Sequence, residues 1–232
     1  MKLSIIIPVY NEQSTLAEIV GLVHSVELDD LEKEIIISND GSTDNTSRII
    51  EQLCQKYPEI KSYASPTNLG KGAAVRLGIA ISTGDLIVIQ DADLELNPGD
   101  YPALLQPLIA NQAEVVYGSR FLNSTVKVPR MSRLANRLLT ILTNLLFHGH
   151  LSDMETAYKM FRREALQGIK LRCVRFDFEP EITARFLLKG YKIKEVPISY
   201  APRSIQKGKK IGWVDGFEAL STLFRCRFID PK

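Results

Sequence analysis

Five short runs rich in β-forming residues, Leu3–Ile7, Glu34–Ser38, Lys61–Ala64, Leu86–Gln90 and Glu114–Tyr117, alternate with segments of helical period along the first half of the chain. This alternation constrains the fold most, because strands separated by amphipathic helices build a mainly parallel sheet covered on both faces. Leu16, Ile19, Val20 and Val23 form one apolar stripe, and Tyr101, Leu104, Leu105 and Leu108 a second. Both have the spacing of a helix that lays one side on a sheet. The expected fold class is α/β, with a Rossmann-like, mainly parallel central sheet flanked by helices. A chain of 232 residues suits one such domain.

Ligands of open parallel sheets bind beyond the carboxyl ends of the strands, so the residues that follow each run are the candidates for chemistry. The run Leu86–Gln90 ends in Asp91, Asp93 and Glu95. If the chain stays extended, these alternate acids share one side. Carboxylates so gathered repel one another unless a cation sits among them, and an all-oxygen ligand set favours Mg²⁺ or Mn²⁺. A solvated acidic turn before a helix is the competing reading. Asp40 ends the second run, placed either to accept from a base or ribose or to form an Asx-turn before Gly41. Asp44 is positioned to cap the next helix. Pro8 closes the first run, and Tyr10 follows, able to stack on a base or to pack. Asn68-Leu-Gly-Lys71-Gly72 precedes a helix, which suggests an anion site of a lysine and free amides. It is neither a Walker loop nor a dinucleotide fingerprint.

The formal net charge of +2 hides an uneven distribution. Between Arg120 and His150 lie Arg120, Lys127, Arg130, Arg133 and Arg137 with no acid, and Pro197 to Val214 adds four more basic residues, again with none. Such segments suggest an anionic ligand or surface. Their basic residues are interleaved with aliphatic ones and no nucleic-acid module is visible, so no nucleic acid partner is expected. The three cysteines form no CxxC pair, which favours a reducing, cytoplasmic location. The N-terminal apolar run reads as a strand and not a signal peptide. The stretch Leu138–Phe147 is far shorter than the roughly 20 residues that span a bilayer.

The segments IIIPVYNE, SNDGSTDNT, NLGKGAA, DADLELNP, YGSRF, DMETAYKMF, FDFEPEI and EVPISYAPRSIQKGKKIGW together resemble the family-2 inverting glycosyltransferases of GT-A fold. Among these, the chain is most similar to polyprenyl-phosphate (dolichyl-phosphate) mannosyl- and glucosyltransferases. The resemblance implies one GT-A domain over residues 1–232, with a nucleotide-sugar half (1–120) and an acceptor half (121–232). It implies that Pro8, Tyr10, Glu12, Asp40, Lys71 and Asp91 line the nucleotide, and that Asp91, Asp93 and Glu95 surround a Mg²⁺ or Mn²⁺ ion. Asp93 and Arg120 would then be the catalytic residues. Arg130, Ser132, Arg133, Asp153 and Thr156 would serve the acceptor, with Ala157 where such enzymes commonly carry Gly. Arg203, Lys209 and Lys210 would close over the donor diphosphate; a merely solvated basic loop is the alternative.

The implied reaction moves mannose or glucose from GDP-mannose or UDP-glucose to polyprenyl phosphate on the cytoplasmic face of a membrane, through peripheral contact and with a membrane-anchoring protein as a further partner. A phosphate dianion needs no strong base, which suits a site rich in Arg. The segment 132–147, with Leu138, Ile141, Leu142, Leu145 and Leu146 at helical spacing and Arg133 and Arg137 at its start, suits a helix in the headgroup plane or a core or dimer helix. Competing functions are transfer to a hydroxyl, with Asp153 as the nearest base, and a membrane-surface binding protein without turnover. Glu179 and Glu181 open a helix, where acids favour the N-terminus; the resemblance implies that this segment lies near the sugar and acceptor, with neither glutamate catalytic.

Overall fold

The computed structural model describes residues 1–29, 31–122, 129–202 and 213–230. Strands β1 (Lys2–Val9), β2 (Glu32–Asn39), β3 (Ile60–Ala64), β4 (Leu86–Ile89), β5 (Val115–Ser119), β6 (Lys159–Arg162) and β7 (Ile193–Pro197) form one sheet in the order β3-β2-β1-β4-β6-β5-β7. Every neighbouring pair is parallel except the two that involve β6. All five expected strands are present. The β6–β7 half carries no comparable alternation.

Helices α1 (Leu16–Ser25), α2 (Thr46–Lys56) and α4 (Tyr101–Ile109) cover one face of the sheet, while α3 (Lys71–Ile81), α5 (Arg130–Phe147), α6 (Phe178–Leu188) and α7 (Trp213–Phe224) cover the other. The period of two in β1 decides which residue goes where: Ile5 and Ile7 join the core under α1 and α4, and Ile6 joins the core under α3 and α6. The stripes of α1 and α4 are buried as their spacing requires, each buried aliphatic side chain contributing about 1.5–3 kcal/mol.

Pro8 does not close β1, which runs on to Val9. Ile6 O accepts from Gln90 N, and Pro8 shares its parity, so the missing N–H points to the side where pairing with β4 has already stopped at Ile6–Ile89. A proline costs no ladder bond there.

Helix α5 is inverted relative to a core helix. Asn136, Thr140, Thr143 and Phe147 are buried, while Met131, Leu134, Leu138, Ile141 and Leu145 are exposed. Polar bonds set this orientation: Asn136 Nδ2 donates to Asp153 Oδ1 (2.7 Å), Met154 N donates to Thr140 Oγ1 (3.1 Å), and Asn144 exchanges two bonds with the Leu151 backbone. Of the five residues expected on one apolar face, Leu138, Ile141 and Leu145 face out, and Leu142 and Leu146 are half-buried. A pure core role for the helix is thereby excluded. No helix among the described residues is long and apolar enough to cross a membrane.

Candidate active site

The carboxyl ends of β1, β2 and β4 open onto a pocket of about 940 Å³, at the upper end of the usual size for small-molecule sites. Its walls include Pro8, Tyr10, Glu12, Asp40, Lys71, Asp91, Asp93, Glu95, Arg120 and Ser132. These expected residues, dispersed over more than half the sequence, therefore share one cavity. Arg203, Lys209 and Lys210 lie outside the described residues.

Asp91 is held from behind. The preceding residue, Gln90, is fully buried; its Oε1 accepts from Tyr101 and Tyr158 hydroxyls at 2.7 Å each, and its Nε2 donates to Asp91 O. The chain then turns, with Leu94 at φ 62°, so the extended geometry expected over 91–95 does not hold. Asp91 faces Lys71 Nζ at 2.7 Å, Asp93 Oδ1 accepts from Glu95 N, and Glu95 Oε2 accepts from Tyr200 Oη at 2.8 Å. Hence Glu95 does not converge with the two aspartates. Among the described residues no three His, Cys, Asp or Glu side chains converge on a metal position. Asp91 and Asp93 nevertheless suit a hard divalent ion, since Mg²⁺ beside a diphosphate takes one or two carboxylates and fills its shell with phosphate oxygens and water. Asp91 already draws a cation, the Lys71 ammonium.

Lys71 also meets Glu179 Oε1 at 2.8 Å. Burial opposes its charge, but the two carboxylates outweigh burial and raise its pKa. The expected free amides before α3 are not free. Leu69 N and Gly70 N donate to the two oxygens of Asp40 (2.8 and 2.7 Å), and Gly72 N and Ala73 N donate to the carbonyls of Arg175 and Val174. Gly70 (φ +112°) is required by this docking, because a Cβ there would lie 2.4 Å from Val174 O. Asp40 is therefore a brace for the 69–70 loop as well as part of the wall, and the phosphate-binding potential of this segment lies in Lys71. Asp44 is not the cap of α2, a position held by Asn45; it stands one residue earlier and its Oδ1 accepts from Thr46 N.

Arg120, just after β5, lines the pocket with its guanidinium forked onto Asp153: Nε to Oδ2 and Nη2 to Oδ1, both 2.8 Å. Burial opposes the charge of Arg120, and Asp153 more than restores it; the same pair holds the Asp153 carboxyl below its ordinary range despite burial. The Arg120 guanidinium also lies 5.3 Å from the Tyr200 ring centroid. Asp153 and Thr156 do not reach the pocket. Both are fully buried, and Thr156 Oγ1 donates to Gly118 O at 2.6 Å. Their expected contact with an acceptor is replaced by support: Asp153 orients Arg120, and Thr156 pins the end of β5. Arg130 and Arg133 are exposed on the first turn of α5, beside Met131 and Ser132 of the wall. Ala157 has no positive φ, so its backbone needs no glycine.

Among the wall residues that carried no expectation are Glu155 and Tyr200, while Glu179 belongs to the segment that the resemblance implied would lie near the sugar. Glu179 and Glu181 do more than favour a helix start, the former pairing with Lys71 and the latter accepting from Arg172 N and Cys173 N. Glu155 is reached because β6 is antiparallel, which brings the segment before it, rather than the one after it, to the ligand edge. A search confined to residues following strands passes over it.

The sequence signature of glycosyl transferase family 2 matches residues 4–169. The chain belongs to this family. It is 31% identical over 212 residues (85% of this chain, 65% of the relative) to the dolichyl-phosphate beta-glucosyltransferase ALG5A of Trichomonas vaginalis. It is 30% identical over 235 residues (97% and 63%) to the dolichol-phosphate mannosyltransferase of Pyrococcus furiosus. The chain thus spans a little under two thirds of the length of these curated relatives. Among solved structures, glucosyl-3-phosphoglycerate synthase of Mycobacterium tuberculosis, in complex with Mn²⁺, UDP and phosphoglyceric acid, superposes with TM-score 0.72 at 20% identity, covering 98% of this chain and 79% of that one. The family-2 chain described here therefore has the GT-A fold.

Proposed function

We propose that this family-2 chain transfers glucose or mannose from a nucleotide-sugar to polyprenyl phosphate, with inversion and with Mg²⁺ or Mn²⁺ on the donor diphosphate. The observation that carries the reading is the pocket in which two strand-end aspartates, a lysine and an arginine fixed by its own carboxylate meet. The names of the two curated relatives support the acceptor class, and the Mn²⁺–UDP complex of the structural neighbour supports the metal.

Pro8, Tyr10, Glu12 and Asp40 wall the nucleotide end. A divalent ion held by Asp91 and Asp93 would act as a Lewis acid toward the departing diphosphate. The acceptor phosphate oxygen forms a bond to the anomeric carbon as the bond from that carbon to the diphosphate oxygen breaks. A phosphate monoester is largely a dianion at neutral pH, its second pKa being about 6, so no side chain must remove a proton. Arg120 orients that dianion, and its fork onto Asp153 keeps the guanidinium placed before substrate arrives. Arg130, Ser132 and Arg133 stand where the acceptor enters. Transfer to a hydroxyl would need a base, and Asp153 cannot serve, because its buried carboxylate is already spent on Arg120 and Asn136.

Peripheral membrane contact is assigned to the outer stripe of α5 together with exposed Phe217, Phe224, Phe228 and Ile229 at the C-terminal end. Helices α5 and α7 touch one another, and both wall the pocket, through Met131 and Ser132 and through Asp215 and Gly216. Arg130, Arg133 and Arg137 flank the α5 stripe, an arrangement suited to anionic headgroups. The three cysteines are unpaired, which supports a place on the reducing, cytoplasmic side.

The test mixes purified protein with Mg²⁺ or Mn²⁺, vesicles carrying a short polyprenyl phosphate, and UDP-glucose or GDP-mannose, and follows lipid-linked hexose. Product from one donor, abolished by EDTA, is expected. Nucleoside diphosphate release only with soluble alcohols would overturn the acceptor assignment.

A further inference from the structure

Nearly every carboxylate in the pocket has been accounted for by a protein partner. Asp40 takes two amides, Asp91 and Glu179 share Lys71, Asp93 takes Glu95 N, Glu95 takes the Tyr200 hydroxyl, and Glu12 takes the Thr15 hydroxyl. Glu155 differs. Its side chain lines the pocket, yet Oε1 is shielded from solvent and has no hydrogen-bond partner among the described residues. Buried polar atoms are almost always satisfied, and an unsatisfied one costs about 1–3 kcal/mol, so this oxygen is suited to accept from a donor that arrives with a ligand.

The surroundings select the ligand's chemistry. The charged groups acting on Glu155 are Glu179 from α6, Lys159 from β6, Arg120 from the end of β5 and Asp153 from its own loop. Glu179 repels an incoming anion. A metal ion is disfavoured because Lys159 already supplies a cation and no three suitable side chains converge among the described residues. An uncharged group rich in O–H donors remains. The same pocket is lined by the apolar side chains of Ala157 and Leu139, which suit the C–H surface of a pyranose. Burial, then repulsion from Glu179, pushes the Glu155 carboxyl up to about 7, so near neutrality it can both accept and donate, as a pair of adjacent hydroxyls requires.

We infer that Glu155 is a specificity-determining residue that receives hydroxyl groups of the donor hexose. This rests on the proposed function only in taking the donor to be a nucleotide-sugar; the identity of the acceptor does not enter.

Calorimetry on the full chain with Mn²⁺ tests it without turnover, using UDP-glucose, GDP-mannose, UDP and GDP as probes on wild type, Glu155→Gln and Glu155→Ala. For the donor that wild type prefers, Glu155→Ala is expected to weaken the intact nucleotide-sugar about 10- to 100-fold, the range of one hydrogen bond to an ionisable group. The matching nucleoside diphosphate should bind within about twofold of wild type, and Glu155→Gln should fall between. Deoxy analogues of the preferred donor locate the hydroxyl: the one that costs affinity in wild type should cost none in Glu155→Ala. Equal weakening of the sugar-bearing and sugar-free ligands overturns the inference, as does no weakening. If both variants fail to fold, as read by thermal unfolding, the deoxy series on wild type decides, and a flat series overturns the inference. Binding that follows this pattern without lipid-linked product would sink the acceptor assignment alone; no binding of either nucleotide-sugar to wild type would sink both.

Discussion

Each end of the sheet shields a carboxylate oxygen of a glutamate from water, and the two are treated in opposite ways. At the amino end, Glu34 of β2 accepts from Ser4 Oγ (2.6 Å), Gly84 N (3.0 Å), Thr83 Oγ1 (2.9 Å), Thr83 N and Lys61 Nζ (3.0 Å). Burial pushes its pKa up, but these bonds outweigh burial and bring it down to about 2. At the carboxyl end, Glu155 keeps an oxygen that no described residue satisfies, and burial together with Glu179 moves its pKa the other way, to about 7. The first site is closed and joins β1, β2 and the entry to β4; the second is open toward a pocket. Saturated polar groups at one end stabilise the sheet, and incomplete ones at the other leave interaction energy for a ligand.

The largest effect is expected at the open end. Asp93→Ala should lower turnover about 10³-fold, the upper range for removing one preorganised electrostatic contact. Its unfolding midpoint should stay level or rise, because the substitution removes a charge from an acidic turn. A matching fall in stability, measured by thermal unfolding alongside the rate assay, would mean the open end is structural after all. The converse substitution, Glu34→Gln, should cost about 2–3 kcal/mol by loss of charge-assisted hydrogen bonds, read as a lower urea midpoint with kcat and KM unchanged. Gly84→Ala belongs to the same end. Its Cβ would lie 2.5 Å from Ser4 Oγ and 2.7 Å from Lys2 O, so it should destabilise by about 1–3 kcal/mol with no effect on donor affinity.

How much of this could be read from the sequence follows the same division. The strands β1 to β5 and the stripes of α1 and α4 were legible because burial on a parallel sheet imposes periodicity. Asp40, Lys71 and Asp91 were legible as strand-end or loop residues whose types suit a ribose, an anion and a cation respectively, whereas Arg120 was singled out through the family resemblance. Glu155 and Tyr200 were not, since their places depend on the antiparallel insertion of β6 and on the bridge between Leu96 and Tyr200, neither of which leaves a local pattern. The Glu34 cluster was equally hidden: Ser4, Glu34 and Thr83 come from three separate segments and only sheet order unites them. The polar interior face of α5 also escaped, because helical spacing identifies a stripe but not which stripe the neighbours will bond.

The smallest expected effect concerns acid. Because the Glu34 carboxyl titrates lower in the folded chain than its ordinary 4.5, the unfolded chain binds more protons between about pH 4.5 and about pH 2, and folding stability rises with pH across that window. The contribution is therefore complete above about pH 4.5 and is lost as pH falls toward about 2. Glu155, with its raised value, acts with the opposite sign: the folded chain binds the extra proton between about 4.5 and about 7, so stability declines as pH rises through that interval. Urea midpoints from pH 3 to 7.5 separate the two. Glu34→Gln should flatten the acid limb and leave the neutral limb unchanged, and Glu155→Gln should do the reverse. If both variants altered the same limb, the two ends of the sheet would not be electrostatically independent, and the division between a closed and an open end would have to be abandoned.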